Sequence, residues 1–171
     1  MRVGLISDTH GHLRSEVFER LAGVDRILHA GDVGGPEILS DLAALAPVAA
    51  VWGNTDGWAL RDIVPEHAEV EVEGLRFAVA HGHRVSKFEK LLERFPAADV
   101  IVHGHSHVPR CDRVAGRWLL NPGSAGPGGQ GWDPSLAIAT IEEAGPTGAA
   151  ALDRLDVVHL DLRTGEPLEL L

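Results

Sequence analysis

Short apolar runs bounded by turn-forming residues recur along the first 125 residues: Val3 to Ile6, Arg26 to His29, Val48 to Trp52, Arg76 to Ala80, Val100 to His103 and Trp118 to Leu120. Runs of this length without polar alternation fit strands buried on both faces. Between them apolar positions return every three or four residues over Leu13 to Leu21, Pro36 to Leu45 and Val85 to Phe95. That spacing predicts helices, the second opened by a proline in its first turn. Two later runs, Leu136 to Glu142 and Val157 to Leu162, alternate as strands do. Hairpins are expected over Glu69 to Val79, turning at Glu73-Gly74, and over Arg110 to Leu120, turning at Ala115-Gly116. The expected fold class is α/β, with one mixed sheet or two sheets.

A chain of 171 residues points to a single domain spanning residues 1–171. Its one cysteine, Cys111, excludes a disulfide framework and thiolate-cluster zinc, and fits a reducing cytoplasm. The net charge of −10 has the wrong sign for a groove that tracks nucleic-acid phosphates, so extended nucleic-acid binding is not expected. No apolar stretch approaches the ~20 residues that span a bilayer, so no membrane partner is expected either. A homo-oligomer is left open. Ten histidines stand out, because imidazole serves both metal ligation and proton transfer.

The polar residues fall where the apolar runs end. Gly4 to Ser7 leads into Asp8-Thr9-His10-Gly11, Ile27 to Ala30 into Gly31-Asp32, and Val51-Trp52 into Gly53-Asn54. Ala78 to Ala80 leads into His81-Gly82, and Ile101 to His103 into Gly104-His105-Ser106-His107. The carboxyl ends of parallel strands share one edge, where ligands bind, so five clusters are expected to converge there. Asp8 with His10, and His105 with His107, are each two apart, which in an extended segment puts both side chains on one face. Adjacent glycines allow the backbone to approach closely. Asp8, His10, Asp32, Asn54, His81, His105 and His107 are more donors than one ion needs. Nitrogen and oxygen without sulfur suit manganese, nickel, zinc, iron or cobalt in a dinuclear arrangement.

In order and spacing these five motifs, over residues 3 to 124, resemble the calcineurin-like metallophosphoesterase superfamily. Gly53-Asn54-Thr55-Asp56 and Asn121-Pro122-Gly123-Ser124 are similar to its small bacterial and archaeal phosphodiesterases. The resemblance implies a four-layer αββα sandwich, two mixed β-sheets flanked by helices. It implies two divalent transition-metal ions per chain, manganese first. Asp8, His10, Asp32 and His107 would hold one, and Asp32, Asn54, His81 and His105 the other, with Asp32 bridging. The implied activity is hydrolysis of a small phosphodiester, nucleotide-like in class, by a metal-bridging hydroxide.

Two departures separate the chain from larger phosphatases of that superfamily, which continue the second motif to an acidic residue and an arginine and follow the asparagine with histidine. Here Gly34-Gly35 and Thr55 stand instead. Phosphomonoesterase activity is therefore the second reading, and a non-catalytic retromer-like scaffold the third. Asp56, Asn121 and Ser124 are expected to tie loops together. His12, His29, His83 and His103 are read first as ordinary polar neighbours of the ligands, with support of a ligand the second reading for His29 and His83. Trp58 and Trp132 are read first as core or loop packing, with a pocket wall as the alternative. His67 and His159 have no motif around them.

Overall fold

In a computed structural model that describes residues 1–142 and 151–170, the apolar runs form strands in two five-stranded sheets. The first sheet contains β1 (Arg2–Ile6), β2 (Arg26–His29) and β3 (Val48–Ala50), followed much later by β9 (Ser135–Ile141) and β10 (Leu155–Asp161). Its order is β10-β9-β1-β2-β3, parallel from β1 to β3 and antiparallel beyond β1. The second contains β4 (His67–Val72), β5 (Leu75–Ala80), β6 (Val100–Val102), β7 (Arg110–Val114) and β8 (Arg117–Asn121), in the order β4-β5-β6-β8-β7. Strands β5, β6 and β8 are parallel, and the hairpin partners β4 and β7 close the edges. Both expected turns occur. Glu73-Gly74 and Ala115-Gly116 have positive φ at both residues, the type I′ geometry that matches strand twist.

Alternation within the strands sets the layers. Val3, Leu5, Leu28 and Ala30 meet Phe77, Val79, Val100, Val102 and Leu120 between the sheets. Ile6, Ile27 and Ile138, on the outer face of the first sheet, pack with Val17 of α1 (Ser15–Arg20) and with Ile38 and Leu42 of α2 (Pro36–Ala43). Ala78, Ile101 and Leu119, on the outer face of the second, pack with Leu91 and Leu92 of α4 (Lys90–Arg94). The result is the expected αββα sandwich.

Element boundaries differ where side chains find other partners. The helix expected from Val85 begins only at Lys90, and before it Phe88 stacks on His103 with ring centroids 4.0 Å apart. Strand β3 stops at Ala50, short of Trp52, whose N–H donates to Pro65 O at 3.0 Å. The four-residue helix α3 (Trp58–Arg61) has no counterpart in the sequence pattern.

Candidate metal centre

Parallel strands of both sheets end at one edge, and hydrogen bonds carry the pairing on into the loops. Asp8 N–H donates to Gly31 O (3.0 Å), His10 N–H to Asp32 O (2.9 Å) and Gly11 N–H to Val33 O (2.8 Å). In the second sheet Gly104 N–H likewise donates to His81 O (3.2 Å), and His105 N–H reaches across to the Asp8 carboxylate of the first (3.3 and 3.2 Å). The 121–135 loop packs against the same place. Ser7 Oγ donates to Gly123 O (2.6 Å), Ser124 Oγ to Asp8 O (2.9 Å) and Gly126 N–H to Asp8 O (3.2 Å).

Five of the seven candidate residues lie in the left-handed region: Asp8 (φ 53°), His10 (50°), Asp32 (50°), His105 (70°) and His107 (58°). The extended-strand argument for pairing Asp8 with His10 and His105 with His107 is thereby corrected. These side chains converge because the backbone turns left-handed at each one. Such positions cost of order 1 kcal/mol each for non-glycine residues and persist only where surrounding contacts enforce them.

The structure brings most of the set into contact. Asp8, His10 and His107 form one group, and Asp8, Asp32 and His81 another, with donor atoms inside each group all within 4.8 Å. His10 Nε2 faces His107 Nε2 at 3.1 Å, and His107 Nε2 lies 3.3 Å from Asp8 Oδ1. Asp32 Oδ2 is 3.3 Å from His81 Nε2 and 3.9 Å from His10 Nε2, so it stands between the groups, as Asp8 also does. Asn54 Oδ1 is 3.1 Å from His81 Nε2. His105 sits farther out, exposed, its ring 5.2 Å from that of His81.

The donor set fits a cation. Asp8 is fully buried, Asp32 nearly so, and neither forms an ion pair with lysine or arginine among the described residues. Among the described residues, imidazoles are the only side chains that offer these two buried carboxylates a positive charge, an arrangement that is costly without a further cation. His81 Nδ1–H donates to Ala30 O (2.9 Å) and His107 Nδ1–H to Gly128 O (3.0 Å), so each ring turns Nε2 inward. Carbonyl acceptors commonly fix this tautomer in metal-binding histidines. Gly53 and Gly104 give the required approach. A Cβ at Gly53 would fall inside the Asp32 carboxylate, and one at Gly104 would lie 2.7 Å from Asp8 Oδ2.

Charge coupling is strong. Burial opposes ionisation of Asp32, but His81 and the Thr55 groups outweigh it and hold the carboxyl well below the ordinary range. Burial likewise opposes charge on His81, yet Asp32 and Asp8 raise it. The hydrogen bond to Asp8 outweighs burial at His107 and raises it to about 8. Burial and the neighbouring His81 lower His105.

The supporting residues were only partly foreseen. His29, lowered to about 4 by burial, lies 2.9 Å through Nε2 from Thr9 Oγ1, which donates to Val33 O (2.8 Å). His29 Nε2–H is thus the donor, and Nδ1 accepts from Gly31 N–H at 3.2 Å. Asp56 accepts from Val33, Gly34 and Gly53 N–H at 3.1, 2.8 and 2.8 Å. Asn121 Nδ2 donates to Gly104 O and Ser106 Oγ, both at 3.0 Å. His159 lies away from the cluster, buried, and donates to Asn121 O at 2.8 Å.

A family model described as the calcineurin-like phosphoesterase superfamily domain matches residues 1–144. The chain belongs to that superfamily. Among phosphoesterases of this family, a probable metallophosphoesterase of Methanocaldococcus jannaschii is 38 % identical over 134 residues, 72 % of this chain and 68 % of the relative. A phosphodiesterase from the same organism is 30 % identical over 141 residues, 72 % of this chain and 83 % of the relative. Among solved structures, wild-type Vps29 of Entamoeba histolytica complexed with zinc superposes with a TM-score of 0.76 at 26 % identity, covering 98 % of this chain and 96 % of that one. No helix of the described residues is long and apolar enough to cross a membrane.

Proposed function

We propose that this phosphoesterase hydrolyses phosphodiester bonds of a small, nucleotide-like substrate, using two divalent transition-metal ions held by Asp8, His10, Asp32, Asn54, His81, His105 and His107, with Asp32 shared. The observation that supports this reading is the pair of buried carboxylates faced by imidazole Nε2 atoms and, among the described residues, by no lysine or arginine. The relative named a phosphodiesterase and the zinc complex of Vps29 support it further. Bound there, two divalent ions would supply Lewis acidity toward the phosphoryl oxygens and lower the pKa of water.

The chain's own residues position these parts. Thr55 N–H donates to Asp32 Oδ1 at 2.9 Å and leaves Oδ2 to face His81 and His10. Against two divalent ions, Asp8 and Asp32 leave the site net positive, which attracts an anionic ester. Thr55 has no acidic proton to give a leaving alkoxide at neutral pH, so esters whose leaving group departs unaided are favoured. Thr55 Oγ1 lies 3.5 Å from His10 Nδ1 and orients that ring instead.

The test is metal analysis of purified protein, together with kcat/KM for matched nitrophenyl mono- and diesters in manganese, nickel, zinc or magnesium. Two ions per chain and faster diester cleavage are expected. A tenfold preference for the monoester would move the assignment to phosphomonoesterase. Metal binding without turnover on either would favour the scaffold reading, which the Vps29-like fold supports along with exposed Trp58 and Ile63, the latter lining an apolar groove with Leu39 and Val48.

A further inference from the structure

Beside the Asn54 flank of the metal cluster stands a group of residues that the hydrolytic reading leaves unused. The Arg61 guanidinium lies 4.6 Å from the Trp52 ring centroid and that of Arg84 lies 5.4 Å from it. Arg61 comes from α3 and Arg84 from the loop after β5, so two separate segments deliver cations to one aromatic face system. Trp52 is two residues before Asn54, and Arg61 Nη2 donates to Asn54 O at 3.4 Å. The Trp52 ring is 5.4 Å from His83, whose ring is 6.4 Å from His105. The group thus adjoins the candidate ligands.

Its charge is not balanced locally. Glu66 is shared between Arg84 (3.3 Å) and Arg94 (3.4 Å), whereas Arg61 forms no ion pair among the described residues. Arg61 Nε is buried without a hydrogen-bond partner. Three guanidinium groups, Arg61, Arg84 and Arg94, thus face one carboxylate, a local positive excess in a protein of net charge −10 that suits an anionic partner. Stacking on an aromatic ring holds a guanidinium by its face, and Arg61 Nη1 with the two Nη groups of Arg84, which bond nothing among the described residues, are left to meet a planar or tetrahedral oxyanion.

We propose that Arg61 and Arg84, laid against Trp52, form a subsite for a second phosphate carried on the arm of the diester beyond the scissile phosphorus. The substrate class is then a nucleotide-like diester with an additional phosphate monoester. This rests on the proposed diesterase activity but adds a claim that fails separately.

The experiment uses the full chain loaded with manganese and three probes: bis(p-nitrophenyl) phosphate, the p-nitrophenyl ester of thymidine 5′-phosphate, and the same ester bearing a 3′-phosphate. The 3′-phosphate should lower KM about tenfold, the usual scale for a charge-assisted contact. Arg61→Gln with Arg84→Gln should bring the KM ratio of the two thymidine probes to about one, and Arg61→Lys with Arg84→Lys should keep part of it. Because Arg61 also bonds Asn54 O, Arg84→Gln alone is measured as well and should at least halve the ratio. Calorimetric titration of metal-free protein with thymidine 3′,5′-bisphosphate gives a readout independent of turnover, and the double variant should bind it about tenfold more weakly. Equal KM for both thymidine probes in the wild type overturns the subsite while leaving diester hydrolysis intact. A preference that survives the double substitution overturns its assignment to these arginines. Loss of stability with an unchanged ratio would show that they merely cover Trp52. No cleavage of any probe would instead refute the diesterase reading, and the calorimetry would then decide the subsite.

Discussion

Asp56→Ala tests how the loops that carry the candidate ligands are held. The Asp56 carboxylate is 3 % exposed, has no cationic partner among the described residues, and accepts from the N–H groups of Val33, Gly34 and Gly53. Two of these donors follow Asp32 directly, and the third precedes Asn54. Truncation leaves three N–H groups without an acceptor, at about 1–3 kcal/mol each, so a loss of roughly 3–6 kcal/mol is expected once some water enters. That is on the order of half the stability of an ordinary domain and should lower Tm by roughly 10–20 °C. Asp56→Asn keeps one acceptor oxygen but sets an N–H2 group against at least one donor, and should cost about 2 kcal/mol. The assay is urea unfolding of metal-free protein in chelator, where ligand binding cannot mask the loss. Both variants should also bind manganese more weakly, because Asp32 and Asn54 lose their mutual spacing. A change under about 1 kcal/mol for Asp56→Ala would refute the claim that this carboxylate fastens the loops.

Three further outcomes are expected. His107, raised to about 8 from an ordinary 6.5, is charged in the metal-free protein at neutral pH, so its pairing with Asp8 stabilises that form below about 6.5 and is lost as pH rises through about 8. Metal must displace this proton, so manganese affinity measured by calorimetry should climb from pH 6 to about 8 and then level, and a pH-independent affinity would contradict the assignment. Thr55→His should speed cleavage of diesters with poor alkoxide leaving groups by a factor of the order 10²–10⁴ relative to nitrophenyl esters, and no relative gain would remove the proposed reason for the leaving-group preference. His159→Ala should lower Tm by breaking the bond to Asn121 O while leaving two ions per chain, and His67→Ala should change neither, so loss of metal in either variant would show that the site extends beyond the seven residues.

Much of the frame was legible because buried strands are written in apolar runs with turn residues at their ends. The two type I′ hairpins were legible because glycine follows Glu73 and Ala115 where the second turn residue needs positive φ. Sheet order was not legible. Nothing local states that β9 should lie beside β1 rather than join the second sheet. Helix α3 was invisible for a different reason, since four residues give periodicity no room to show, and with it went the position of Arg61 beside Trp52. The Asn121 to Ser135 segment looked irregular in sequence, yet its hydrogen bonds to Ser7, Asp8 and His107 are specific.

The candidate ligands were found by residue type and order, while their backbone geometry was not. Aspartate and histidine tolerate the left-handed region better than most residues, so five such positions leave little trace beyond nearby glycines. Strain of that kind has to be enforced from elsewhere in the fold. Asn121 grips Gly104 and Ser106, on either side of His105, and Ser124 with Gly126 holds the carbonyl of Asp8. Asn121 ends β8 in one sheet and is itself held through its carbonyl by His159 of β10 in the other. The left-handed turns at the site therefore depend on the two sheets keeping their relative position. Breaking that link with His159→Ala should weaken manganese affinity modestly by loosening the histidine turn, without changing the count of two ions per chain, and should leave undisturbed Asp32, which is fastened independently through Thr55 and Asp56.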